Sequence, residues 1–309
     1  MNPTYEMYKT TVETALQNHP LLAGSWDSIT VAPSMPPLEG DIPQPLRSAM
    51  RYSLMLPGKR IRPVLLLASY HLLQADWKRV LPFATALEMI HTYSLIHDDL
   101  PALDNDILRR GQPTCHIVYG EDVALLAGDA LYSLAFETML EAALVWPQPS
   151  KAIAAIETIA RHAGVRGMIA GQTLDVTMEG KAPEASIVTY IHQHKTADLL
   201  TAPVLAGLIL AGANEHQLAA GNTFGKSIGL AFQIIDDLLD QEGDEKTLGK
   251  QTGTDAARGK MTWPAVHGAQ TSRRQAEVYI QEAIRALDVF GESADFLKGI
   301  AQATLTRVS

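Results

Sequence analysis

The sequence predicts an all-α fold, with helices packed on helices in a single domain spanning residues 1–309. Two observations carry this reading. Apolar residues recur at helical spacing: Ile280, Ile284 and Leu287 within 273–290, and Ile153, Ile156 and Ile159 within 151–163. Strand-like alternation is nearly absent, with residues 28–32 as the one weak candidate, and helices without strands must bury their apolar faces on one another. The irregular stretch 31–45, with five prolines and Gly40, connects a short N-terminal helix to the main body.

Composition narrows the function. The 309 residues are 47% hydrophobic and 19% charged, as in ordinary globular chains, and the net charge of -9 argues against a general nucleic-acid binder. It does not argue against anionic substrates, because bound cations invert the local field. The single cysteine, Cys115, excludes an internal disulfide and a zinc site built on paired cysteines. The first ten residues lack a basic-then-apolar signal pattern. The longest uncharged stretch, 199–214, falls short of the roughly 20 apolar residues that span a bilayer. A cytoplasmic protein without a membrane span is the expectation.

Two acidic clusters follow apolar helical runs: Asp98, Asp99 and Asp104 in HDDLPALD, and Asp236, Asp237 and Asp240 in IIDDLLD. Their helices should end near Pro101 and Gly243. Carboxylates at a helix C-terminus oppose the macrodipole by about 0.3–1 kcal/mol each, and Asp236 and Asp240, four apart, repel across one face. Solvated helix ends would explain either cluster alone. Two together point to a cation that relieves both penalties. Oxygen-only ligation suits Mg2+, which is commonly held by one or two carboxylates plus substrate phosphates.

Basic residues stand nearby at punctuated positions. Arg109 and Arg110 precede Gly111, either as the dipole-complementing end of a short helix or as forks for diphosphate oxygens. Lys59, Arg60 and Arg62 lie between Pro57 and Pro63, and Lys250 and Lys260 lie in a glycine-rich stretch after the second cluster. Each could be an ordinary surface residue, but together they match what two diphosphates require.

These motifs resemble the trans-prenyltransferases, the short-chain polyprenyl diphosphate synthases, from about Leu46 to Trp263. GKRIRP, DDLPALD with the following RRGQPT, GQTLDV, HKTADLL, FQIIDDLLD and LGKQTGTDAARGKMTWP occur in the family's order, and the similarity is strongest to its bacterial farnesyl-forming members. The resemblance implies a large antiparallel helical bundle around a deep apolar cavity, usually homodimeric. It also implies that Lys59, Arg62, His91 and Arg110 bind isopentenyl diphosphate. Asp98, Asp104 and Asp236 would hold Mg2+, and Arg109, Lys195, Thr196, Gln233, Lys250 and Lys260 would bind the allylic diphosphate. A lone histidine on an apolar helix is often a core residue, but His91 lies seven before Asp98, on the same helical face. The short C-terminal sequence after Thr306 leaves little basic tail for a lid.

The implied chemistry is ionisation, condensation and elimination to farnesyl diphosphate, with a geranylgeranyl product as the alternative. Tyr93, five residues before Asp98, would be the floor that stops chain growth, or an interhelical packing residue. A terpene cyclase would generally replace the second aspartate cluster and needs no isopentenyl diphosphate site. A non-catalytic synthase subunit would be expected to have lost one cluster. Both clusters and GKRIRP are intact.

Overall fold

The computed structural model describes residues 2–22, 42–242 and 258–306. The weak strand candidate, most of the proline-rich connection, Lys250 and residues 307–309 lie outside the described residues. The described chain is all-α. Fourteen helices are described: α1 (Pro3–Gln17), α2 (Leu46–Met55), α3 (Ile61–His71), α4 (Leu81–Asp98), α5 (Cys115–Tyr119), α6 (Glu121–Leu144), α7 (Pro149–Ala163), α8 (Met168–Thr177), α9 (Ala185–Ile191), α10 (Asp198–Ala211), α11 (Glu215–Glu242), α12 (Trp263–His267), α13 (Ala269–Ala286) and α14 (Asp295–Leu305). A π-helical segment, His192–Ala197, joins α9 to α10. The only described strands are the two-residue pair Leu108–Arg109 and Gln112–Pro113, here β1 and β2.

The chain divides into two compact units, Met1–Val64 with Leu81–Trp146, and Leu65–Val80 with Pro147–Ser309. In the first, α4 packs chiefly on α6, and α1 and α2 also contact α4. Phe83, Leu87 and Ile90 of α4 and Leu131, Leu134 and Met139 of α6 are buried. In the second, α11 packs on α10 and α13, and α10 on α7. Ile280 and Leu287 are buried as their spacing predicts, as are Ile156 and Ile159 on α7, whereas Ile153 is 58% exposed. Alanines 152, 155 and 163 complete the buried stripe of α7, so its apolar face is narrower than the isoleucines alone suggest.

The first predicted termination occurs, α4 stopping at Asp98; α11 is described as far as Glu242, and Gly243 lies outside the described residues. The first has a local cause: Pro101 disfavours continued helix, and the Asp104 N–H donates back to the Asp98 carbonyl (2.8 Å), curling the chain. The short helix considered for the arginines is absent. Arg110 (φ 54°) and Gly111 (φ 76°) instead form a left-handed two-residue turn joining β1 to β2, the geometry that suits the twist of a tight hairpin.

In the second unit α11 approaches its neighbour at backbone distance. A Cβ on Gly229 would stand 2.4 Å from the Ala197 Cα, whereas one on Gly299 in α14 meets nothing within 4 Å. Gly229→Ala should therefore cost about 1–3 kcal/mol through overpacking. Gly299→Ala should stabilise by about 0.5–1 kcal/mol through helix propensity. Urea unfolding of both variants checks the pair, and equal midpoints would contradict it.

Candidate active site

In the first unit the basic and acidic motifs meet at the C-terminal half of α4. Arg60, 4% exposed, donates from Nη1 to Glu88 Oε1 (2.6 Å), from Nη2 to the carbonyls of Leu54 (3.1 Å) and Leu56 (2.8 Å), and from Nε to Glu13 Oε1 (3.4 Å). It is therefore neutralised and serves as a brace for its own loop. Arg62, next along α3, differs. Its Nε is buried without a hydrogen-bond partner, and burial draws its pKa down to about 10, still fully charged near neutrality.

His91 lies among these cations. Burial first, then Arg62, Arg110, Arg60 and Arg109, hold its pKa well below the ordinary histidine value, so the ring is neutral at physiological pH. Its Nδ1 is buried and unpartnered. An uncharged imidazole and an arginine nitrogen with no partner among the described residues stand with further guanidiniums, and the negative charge of Glu88, which acts on Arg62 and Arg110, is already engaged by Arg60. Diphosphate supplies such charge, and guanidinium binds it bidentately. Arg110 donates from Nη1 to the Leu56 carbonyl (3.3 Å), tying the hairpin to the Pro57–Gly58 turn.

The first aspartate cluster divides its labour. Asp99, 3% exposed, accepts from Nε (3.0 Å) and Nη2 of Arg109, which also reaches Asp106 (3.2 Å). Burial pushes the Asp99 carboxyl up to about 6 despite Arg109, whose own charge is reinforced by Asp99, Asp106 and Asp98. Asp98 and Asp104 are half-buried and adjacent through the 2.8 Å backbone bond. Thus Asp98 and Asp104 are the candidate ligands, and Asp99 orients Arg109.

The second unit repeats this division. Asp237, 3% exposed, accepts from Gln233 Nε2 (2.8 Å) and from the Trp263 N–H (2.8 Å), and lies 3.1 Å from His192 Nε2. The His192 ring stacks on Trp263. Asp236 is half-buried; Asp240 is buried. The π-helical segment presents Lys195 and Thr196. Thr196 donates to Gln233 Oε1 (2.6 Å), and Lys195 donates to Asp175 Oδ2 (2.5 Å), which also lies 4.0 Å from Lys260 Nζ. One 7%-exposed carboxylate thus holds two lysines whose like charges would otherwise repel. Gly171 allows this approach, since a Cβ there would fall 2.2 Å from the Lys195 backbone nitrogen.

The structure therefore gathers Arg62, His91, Arg109 and Arg110 with Asp98 and Asp104 in one unit, and Lys195, Thr196, Gln233 and Lys260 with Asp236 in the other. Lys59 is exposed on the loop before Arg60. Sequence reasoning missed Asp175, Asp237 and His192 as organisers. Asp175 lies within GQTLDV and His192 just before HKTADLL, but nothing in their spacing announces the lysine or aspartate they meet.

The candidate ligands Asp98, Asp104 and Asp236 are all oxygen donors, and among the described residues no three His, Cys, Asp or Glu side chains converge into a preformed metal cage. That fits a hard cation whose remaining ligands come from a phosphorylated substrate.

An all-α frame with two carboxylate clusters, each beside its own cations, defines an isoprenoid synthase fold of the trans-prenyltransferase class. The polyprenyl synthetase profile matches residues 43–295, and the chain belongs to that family. It is 46% identical over 263 residues to the farnesyl diphosphate synthase of Geobacillus stearothermophilus, covering 84% of this chain and 88% of the relative. It is 45% identical over 260 residues to the geranylgeranyl diphosphate synthase of Cyanophora paradoxa, covering 84% and 86%. Among solved structures it is similar to an FPP/GFPP synthase from Zymomonas mobilis, with TM-score 0.81, 33% identity and 97% of each chain covered. It is also similar to the geranyltransferase from Helicobacter pylori complexed with magnesium and isoprenyl diphosphate, with TM-score 0.79, 31% identity and coverage of 99% and 97%.

The two aspartates of the second pair should separate in a stability measurement. Asp237→Ala strips acceptors from two donors and a buried histidine and should cost about 3–5 kcal/mol. Asp236→Ala, at a half-buried position, should cost less than half as much. Denaturant unfolding decides, and equal losses would show that both carboxylates are structural.

Proposed function

We propose that the chain condenses isopentenyl diphosphate with dimethylallyl or geranyl diphosphate to give farnesyl diphosphate. The observation that carries this reading is the group of Arg62, Arg110 and His91, where Arg62 Nε and His91 Nδ1 are buried with no hydrogen-bond partner among the described residues; it suits a second diphosphate, which a terpene cyclase does not need. Lys59, Arg62, His91 and Arg110 bind the isopentenyl diphosphate. Arg109, Lys195, Thr196, Gln233, Lys250 and Lys260 bind the allylic diphosphate. Asp98, Asp104 and Asp236 would hold Mg2+, which when bound supplies positive charge to the diphosphate oxygens.

The allylic C–O bond breaks, and the diphosphate leaves with the electron pair while Arg109, Lys195 and Lys260 take up its charge. The isopentenyl double bond attacks the allylic cation, forming the new C–C bond, and loss of a proton to the released diphosphate restores an alkene. Catalysis rests on charge stabilisation and positioning, and on keeping water from the cation. Cys115 takes no part; it is buried, and burial pushes its thiol up to about 11.

The family match crosses both compact units, which supports reading residues 1–309 as one catalytic domain. A cytoplasmic homodimer is the proposed working form. Helix α6 is long and apolar enough to cross a bilayer, but its inner face packs on α4. A second copy over exposed Leu125, Leu126, Leu140 and Leu144 accounts for its outer face. Asp98→Ala and Asp236→Ala should each lower turnover at least about 100-fold, the scale set by losing one charge-stabilising group. Far-ultraviolet circular dichroism should change little. The check is initial rates with isopentenyl diphosphate and each allylic primer; near-wild-type rates in either variant would remove that carboxylate from the site.

Product length follows from Tyr93. It is 8% exposed and packs edge-on against Tyr132 (4.7 Å between centroids), which contacts Phe136 (5.1 Å). Its buried hydroxyl has no hydrogen-bond partner, and burial raises its pKa strongly. An aromatic wall one and a half turns before Asp98 suits a stop at fifteen carbons. The geranylgeranyl alternative is kept by the Cyanophora relative's near-equal identity. Tyr93→Ala should shift products towards twenty carbons at preserved ionisation activity. Product separation by chain length tests this, and an unchanged fifteen-carbon product would place the limit elsewhere.

A further inference from the structure

We propose that α1, which lies outside the family-matched segment 43–295, positions the loop that receives isopentenyl diphosphate, acting through the Tyr5 hydroxyl and the Glu13 carboxylate. The inference rests on the reading of Lys59 and Arg62 given above. The loop from Leu56 to Arg60 joins α2 to α3 and carries an unusual backbone. Arg60 has φ 53°, a left-handed conformation that a non-glycine residue keeps only where its surroundings over-determine it.

Three sets of contacts hold that conformation. Glu88 of α4 takes Nη1 of Arg60, and the carbonyls of Leu54 and Leu56 take Nη2. The third set comes from α1. The Tyr5 hydroxyl donates to the Lys59 carbonyl at 2.6 Å, and Glu13, two turns on, accepts from Arg60 Nε at 3.4 Å. The Lys59 carbonyl belongs to the peptide plane linking Lys59 to Arg60. Fixing it sets the exit angle of the Lys59 side chain and the entry of the chain into α3, where Arg62 sits in the first turn.

Helix α1 is a firm base for this contact. Tyr8, Val12 and Leu16 form a buried stripe at i, i+4 and i+8, and the helix contacts α2 and α4. Its start is set by Pro3 and by Asn2, whose side chain caps the Thr4 N–H at 2.9 Å, placing Tyr5 in the first turn. Electrostatics agree with the geometry. Glu13 and Glu88 together neutralise Arg60, so the arginine that holds the loop does not compete with Lys59 and Arg62 for an anion. Tyr5 and Glu13 are positioning residues: they shape the site through Lys59 and Arg60.

The test is steady-state kinetics of the full chain carrying Tyr5→Phe, which removes one oxygen, with Glu13→Gln as a second variant. The KM for isopentenyl diphosphate should rise about fivefold in Tyr5→Phe, the scale of one hydrogen bond, and in the same direction in Glu13→Gln. The kcat and the allylic KM should stay within about twofold of the parent, a split that a purely structural contact would not produce. Arg62→Ala and Lys260→Ala are measured alongside. Arg62→Ala should raise chiefly the isopentenyl diphosphate KM, and Lys260→Ala chiefly the allylic KM. If Arg62→Ala does so while Tyr5→Phe changes neither KM, or both equally, α1 is packing only and the inference fails. If Arg62→Ala leaves the isopentenyl diphosphate KM unchanged, the assignment of the loop itself is wrong.

Discussion

Unlike charges held together by the protein itself are the constraint on which the rest depends. Each aspartate pair keeps one carboxylate half-buried and turns its neighbour inward, where it must be compensated. Asp99 is compensated by Arg109, and Asp237 by the Gln233 amide, the Trp263 N–H and His192. A buried carboxylate without such partners would cost several kcal/mol or take up a proton. The inward members therefore fix the elements that present the outward members.

The same logic governs the cations. Asp175 lets Lys195 and Lys260 approach one another, and Glu88 with Glu13 quiets Arg60. Arg62 and His91 keep buried nitrogens without hydrogen-bond partners, and His91 is held neutral by burial and its arginine neighbours. A chain of net charge -9 thus still holds clusters of cations. Local placement in a low-dielectric site outweighs a distributed surface charge that solvent and salt screen.

The π-helical segment joins chemistry to packing. Such segments are less stable than α-helix and persist where contacts support them, often at functional sites. Here His192, Lys195 and Thr196 each find a partner on α8 or α11. Gly171 and Gly229 bring those helices to backbone distance on either side. The wide turn that carries Lys195 and Thr196 is therefore held by groups distant in the chain, Asp175 on one side and Gln233 and Asp237 on the other.

Much of this protein was legible from residue order alone. Helical periods, the helix end beside Pro101, the paired carboxylates and the ordered basic motifs are local properties, set by backbone geometry and by charges a few residues apart. Family resemblance added roles for Asp98, Asp104, Asp236 and their cationic partners. Tertiary structure alone decided that Arg60 braces while Arg62 keeps an unpaired nitrogen, that Arg109 and Arg110 lie on a hairpin, and that Asp175 gathers two lysines. It also decided that α1 reaches Lys59. Each of these depends on which groups meet after the chain has folded back on itself, and two charges distant in sequence interact only once packing has excluded the water between them.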